Sequence, residues 1–144
     1  MKQTDYTKYA EARTPNSPIW KNMLLAFLVG GAICTIGQLI NNFFKCRGLD
    51  ATEASTATSI VLIFLSILFT GLDLYDRLAK YAGAGTIVPI TGFANAVASP
   101  AIEFKSEGYI LGVGAKMFVV AGPVITYGIV SSVVAGLIYY LFLL

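Results

Sequence analysis

The side chains able to do chemistry in this chain are few, and they gather in two stretches. The run AGAGTIVPITGFANAVASPAIEFKSEG, Ala82–Gly108, opens with 21 uncharged residues, Ala82–Ile102, yet carries Thr86, Thr91, Asn95 and Ser99. Ahead of it, Ser59, Ser66, Thr70, Asp73 and Arg77 are spaced 7, 4, 3 and 4 apart, one stripe of a helix. Hydroxyls and a primary amide give and take hydrogen bonds, but they do not make a nucleophile–base set. Asp73 and Asp76 form a carboxylate pair at i,i+3. With Arg77 and Lys80 one turn on, they read more simply as a salt-bridged helix end, Asp73 to Arg77 and Asp76 to Lys80. The chain has no histidine and no clustered ligands, so neither a metal nor a cofactor is expected, and an enzyme is not. Cys34 lies in an apolar run and Cys46 in a basic KCR loop. They form no disulfide framework, and Cys46 is either a reactive thiol or an ordinary loop cysteine.

The elements that hold these residues belong in a membrane. Of 144 residues, 56% are hydrophobic and 12% charged, about half the charge of a soluble domain, and the mean hydropathy is +0.72. A net charge of +2, scattered along the chain, does not suggest nucleic acid. Residues 1–22 read as a polar cytoplasmic tail that ends in the interfacial anchors Trp20 and Lys21. Residues 23–144 read as one membrane domain, with spans over about 23–44 and 54–72, a broken segment at 82–102 and a last span over 110–143. Thr35, Gln38, Asn41 and Asn42 share a face of the first span, for helix–helix hydrogen bonding or for a pore mouth. Leu49–Glu53 reads as a polar turn and YDRLAKY, Tyr75–Tyr81, as an amphipathic interfacial turn. Pro123 after Gly122 should kink or break the last helix. Beyond it, Gly128, Ser132 and Gly136 recur at i, i+4, i+8, a small-residue face for packing against another helix in this subunit or a neighbour. The fold class is all-α and polytopic, with three to four transmembrane helices plus a Gly/Pro-broken segment, re-entrant or discontinuous.

That segment is a poor helix in an apolar protein. Gly83, Gly85, Pro89, Gly92 and Pro100 interrupt it. Unpaired backbone in lipid costs several kcal/mol, so such a break must be covered by protein or line a wet cavity. Half-helix ends made this way bind solutes in transporters. The segment either crosses the bilayer or dips in and returns. Counting Lys and Arg, leaving Lys116 aside, crossing puts six inside and three outside, and dipping puts seven against two. The positive-inside rule favours dipping by that one lysine.

AFLVGGAICTIGQ (Ala26–Gln38), TGLDLYDRLAKYAGAGTIVPITGFANAVASPAIEFKSEG (Thr70–Gly108) and the following GVGAKMF resemble the SpoVA membrane proteins of spore-forming bacteria, over nearly the whole chain after the tail. The AE-type members share AGAG and VPITGF, while the polar tail and EFKSEG fit the AC type better. The resemblance implies movement of dipicolinic acid, as its calcium chelate, across the spore inner membrane, inward in sporulation and outward in germination. It implies a multi-pass subunit of the forespore or spore inner (cytoplasmic) membrane, N-terminus cytoplasmic. Its partners would be a soluble SpoVAD-type protein that binds dipicolinate and an SpoVAE-type membrane paralogue, in a homo- or hetero-oligomer.

Conduction requires weak binding, and a near-neutral chelate suits donors and weak polar contacts better than a ring of charge. The expected pathway residues are Gly83, Gly85, Thr86, Pro89, Thr91, Gly92 and Asn95, faced by Ser66, Thr70 and Asp73. Two rivals stand beside the channel: a non-conducting scaffold that docks the soluble partner through its tail and loops, and a tension-gated pore.

Overall fold

The computed structural model describes residue 7 and residues 18–143, so most of the expected polar tail lies outside the described residues. All elements among the described residues are helical. Helix α1 (Ile19–Cys46) starts directly after Pro18, so residues 19–22 belong to a helix and not to the tail. At 28 residues it is about 42 Å long, more than the roughly 30 Å of hydrocarbon. Gly48, with φ +93°, turns the chain. The polar turn expected at Leu49–Glu53 starts the next helix, because Asp50 and Glu53 form a capping box. The Asp50 carboxylate accepts from Glu53 N at 2.7 Å, and Asp50 N donates to Glu53 Oε2 at 3.3 Å.

Helix α2 (Ala51–Gly71) is the centre of the packing. Its buried residues Ala54, Thr58, Leu62 and Ser66 recur every four positions, a narrow face of mostly small side chains that lets two helices approach it. Against α1, the Leu62 side chain fits over Gly37, and Asn41 Nδ2 donates to Thr58 Oγ1 at 3.3 Å. Helix α3 (Leu74–Ala82) follows Asp73, a non-glycine residue at φ 57°, and buries Tyr75 and Ala82. A 3₁₀ turn at Gly83–Thr86 and an extended Val88 lead to helix α4 (Pro89–Glu103), where Pro89 takes the first helical position. Helix α4 lays Thr91, Ala94 and Ala98 against α2. At 15 residues it spans about 22 Å.

A second 3₁₀ turn (Phe104–Glu107) and a π turn (Tyr109–Gly114) carry the chain into helix α5 (Ala115–Leu143). Lys116, the one charge of residues 109–143, sits 4.1 Å above the Phe104 ring, a cation–π contact at the helix start. Of the expected kink or break at Pro123, the break does not occur: helix α5 continues through it. The proline costs one backbone bond, and Gly122 ahead of it leaves room to absorb the ring. Three stretches are long and apolar enough to cross a membrane, Ile19–Cys46, Ala51–Gly71 and Tyr109–Phe142. The chain is an all-α polytopic membrane protein.

The break is fixed to α1 by one glycine. A Cβ on Gly85 would lie 2.5 Å from the Ala26 carbonyl oxygen and 2.9 Å from Ala26 Cα, while a Cβ on Gly30 would lie 3.4 Å from Gly85 O. These are backbone atoms, so no rotamer relieves the clash. Gly85→Ala is therefore expected to lower the melting temperature of the detergent-solubilised protein by several degrees. Gly71→Ala, whose Cβ meets nothing within 4 Å, should leave the melt unchanged or slightly raised.

Candidate functional site

Where α4 crosses α2, four uncharged polar side chains meet. Ser66, 2% exposed, donates from Oγ to Thr91 O at 2.6 Å. One turn on, Thr70 Oγ1 lies 2.7 Å from Ser66 O and 2.7 Å from Asn95 Oδ1. The hydroxyl has one proton for two acceptors. Both contacts are satisfied when the Asn95 amide presents its nitrogen to Thr70, so that Asn95 donates to the hydroxyl and the hydroxyl donates to Ser66 O. Thr91, 6% exposed, completes the group, and its Oγ1 is the buried side-chain polar atom with no hydrogen-bond partner among the described residues.

The residues around this group explain its position. Gly83, at φ +52°, ends α3 in a conformation that suits glycine. Thr86 is buried; its Oγ1 donates to Gly83 O at 3.0 Å, and its carbonyl accepts from Tyr75 Oη at 2.8 Å. Gly92 passes under the backbone of Thr86 and Ile87, with 3.0 Å left for a Cβ against Thr86 O. The break is thus held by Tyr75 and by the seat at Ala26 and Gly30, three residues that the sequence stripe does not single out. Two of them differ from their surroundings in sequence, Tyr75 as a phenol on the apolar side of an amphipathic helix and Gly30 as a glycine inside a span, while only the fold shows what they touch.

Two hollows flank the cluster. A groove of about 610 Å³ lies between α2 and α4, with Ser59, Ile63, Pro89, Phe93, Ala98 and Met117 among its walls. A hollow of about 370 Å³, bounded by Ile33, Leu62, Phe69, Leu74 and Leu78, has Ser66 and Thr91 in its wall.

Of the expected pathway residues, Ser66, Thr70, Thr91 and Asn95 converge. Gly85, Thr86 and Gly92 form the backbone seat beside them, Pro89 opens α4, and Gly83 lies at the α3 end. Asp73 stands apart. The expected stripe stops at Gly71 because α2 ends there, and Asp73 is exposed in the left-handed turn that follows. It makes no ion pair with Arg77; the ion pair among the described residues is Asp76–Lys80, 3.3 Å and exposed, worth tenths of a kcal/mol. Among the described residues Gly128, Ser132 and Gly136 are exposed and do not form a helix contact. A Cβ on either glycine meets nothing within 4 Å, and Ser132 Oγ returns to Gly128 O at 2.8 Å. Cys34 and Cys46 are free and exposed. Among the described residues no group of His, Cys, Asp and Glu could hold a metal ion.

Residues 22–138, from the start of α1 to near the end of α5, match one sporulation family. The chain belongs to the SpoVAC/SpoVAEB sporulation membrane protein family. It is 45% identical over 140 residues to stage V sporulation protein AC of Bacillus subtilis (strain 168), an overlap of 96% of this chain and 93% of that protein. No solved structure matches. The match takes in every residue of the polar cluster and the seat beneath it, so the site lies within the family's own portion of the chain.

The cluster makes two stability predictions of opposite kind. Ser66→Ala removes a buried donor from a carbonyl and should cost about 1 kcal/mol in reversible unfolding. Thr91→Val replaces an unpartnered hydroxyl by a methyl of the same shape and should be neutral or stabilising. A Thr91→Val loss as large as that of Ser66→Ala would show that the hydroxyl has a partner.

Proposed function

We propose that the chain is a membrane subunit of a channel for dipicolinic acid, carried as its calcium chelate across the spore inner membrane, into the forespore during sporulation and out in germination. The observation that carries this reading is the Ser66–Thr70–Thr91–Asn95 group, set where a discontinuous helix packs on a full-length one. Uncharged donors and acceptors suit a near-neutral chelate, which has to be bound weakly enough to leave. Family membership supplies the sporulation setting.

The grooves of a single chain are mostly apolar, so further chains complete the pathway. An SpoVAE-type paralogue would supply other walls, and a soluble SpoVAD-type protein would present the solute. The N-terminal tail would face the cytoplasm.

Spores whose sole copy carries Asn95→Leu are expected to hold normal amounts of the protein in the membrane and several-fold less dipicolinate. Normal protein with normal dipicolinate would make the cluster a packing device and favour a non-conducting scaffold.

A further inference from the structure

One face of α1 carries polar groups that the fold of the chain does not use. At 100° per residue, Gly31, Cys34, Thr35, Gln38 and Asn42 fall in one sector of about 100°. Its centre lies about 100° round the helix from that of Ala26, Gly30, Gly37 and Asn41, which meet the Gly83–Thr86 turn and α2, and its Cys34 edge borders on Asn41. These five residues are exposed, and a Cβ on Gly31 would meet nothing within 4 Å. Thr35 spends its hydroxyl on Gly31 O at 2.8 Å, and Gln38 Nε2 donates to Asn42 Oδ1 at 2.9 Å. After that bond, Gln38 Oε1 and both Asn42 Nδ2 protons have no partner among the described residues.

Gln38 lies too deep for water to serve it well, while Asn42, three residues before Lys45, lies about 4.5 Å from it along the helix, nearer the membrane boundary. Gln38 is seven residues before Lys45, about 10 Å along the helix, inside the hydrocarbon bounded by the Trp20–Lys21 and Lys45–Arg47 anchors. A primary amide facing lipid is costly, and Asn and Gln in membrane helices bond across to other helices. Asn41 shows the satisfied case, bonded to Thr58.

We infer that this face joins α1 to α1 of a second copy of the chain. The groups left over are complementary to themselves: each pair offers one carbonyl oxygen and one NH₂. The Gln38–Asn42 bond brings the two heads to the same height. A twofold axis along the membrane normal therefore sets each Gln38 Oε1 against the partner copy's Asn42 amide, closing a reciprocal ring. Gly31, Cys34 and Thr35, one to two turns deeper, are small enough to let the backbones close. Lys45, on the same sector, lies at the aqueous rim, where salt screens its repulsion. The contact does not depend on what the assembly conducts.

Cys34 reports on this interface. The full chain carrying Cys46→Ser keeps Cys34 as its single cysteine, and it would be produced alone in membranes of a host without family members. Copper–phenanthroline oxidation should then give a disulfide-linked species at twice 15.4 kDa. Adding Gln38→Leu and Asn42→Leu should reduce that species roughly tenfold at an unchanged membrane level. Moving the thiol to the adjacent lipid face, with Cys34→Ala and Leu39→Cys, should nearly abolish it. Absence of the Cys34 dimer would overturn the inference, as would a yield no greater than from Leu39→Cys. A dimer indifferent to the leucine pair would also overturn it. The comparison of the two thiol positions stands even where the leucine pair lowers the protein level.

Discussion

The approach of the Gly85 backbone to α1 is the contact on which the second half of the molecule depends. A discontinuous helix leaves backbone groups that lipid cannot serve. Here the 3₁₀ turn at Gly83–Thr86 is pressed against Ala26 and Gly30, with no room for a Cβ, and Tyr75 ties off the Thr86 carbonyl. With the turn fixed there, Pro89 starts α4, and Gly92 lets the first turn of α4 tuck under Thr86 and Ile87. Thr91 then reaches Ser66. One glycine against one helix thus sets the register of the polar cluster.

The cluster follows from how the chain uses polarity. Many hydroxyls return to the carbonyl four residues back, as at Thr35, Thr56, Ser59, Thr126 and Ser132, which removes them from lipid at no structural gain. Three polar contacts instead cross between helices: the Asn41 amide to Thr58, the Ser66 hydroxyl to the Thr91 carbonyl, and the pair Thr70 and Asn95. The last two lie one turn apart and leave the Thr91 hydroxyl without a partner. A solute pathway that binds weakly is better served by such a spare, uncharged group than by an ion pair.

The sequence made the spans and the family legible because both depend on residue types along the chain: long uncharged runs, and the AGAG…VPITGFAN motif. It also brought forward Ser66, Thr70, Thr91 and Asn95, since hydroxyls and an amide in an apolar run need a partner. Distances across the fold were not legible. The stripe through Asp73 assumed one continuous helix, and the left-handed residue at Asp73 ended it. The Asp50–Glu53 capping box starts a helix where the polar residues around it suggest only a turn. At Pro123 the helix is not broken, because a membrane helix can absorb proline's lost backbone bond. Tyr75, Ala26 and Gly30 needed coordinates, because their part in the site comes from contact with residues some ten to sixty positions away.

A solute pathway through the cluster requires that Asn95 lie on a wet path when the assembly conducts. Asn95→Cys, placed in a chain with Cys34→Ala and Cys46→Ser and assembled with its membrane partners, measures this through reaction with a membrane-impermeant thiol reagent. Modification should be slow at rest and rise when solute release is triggered. A thiol that stays unmodified while the same assembly releases its solute normally would contradict it.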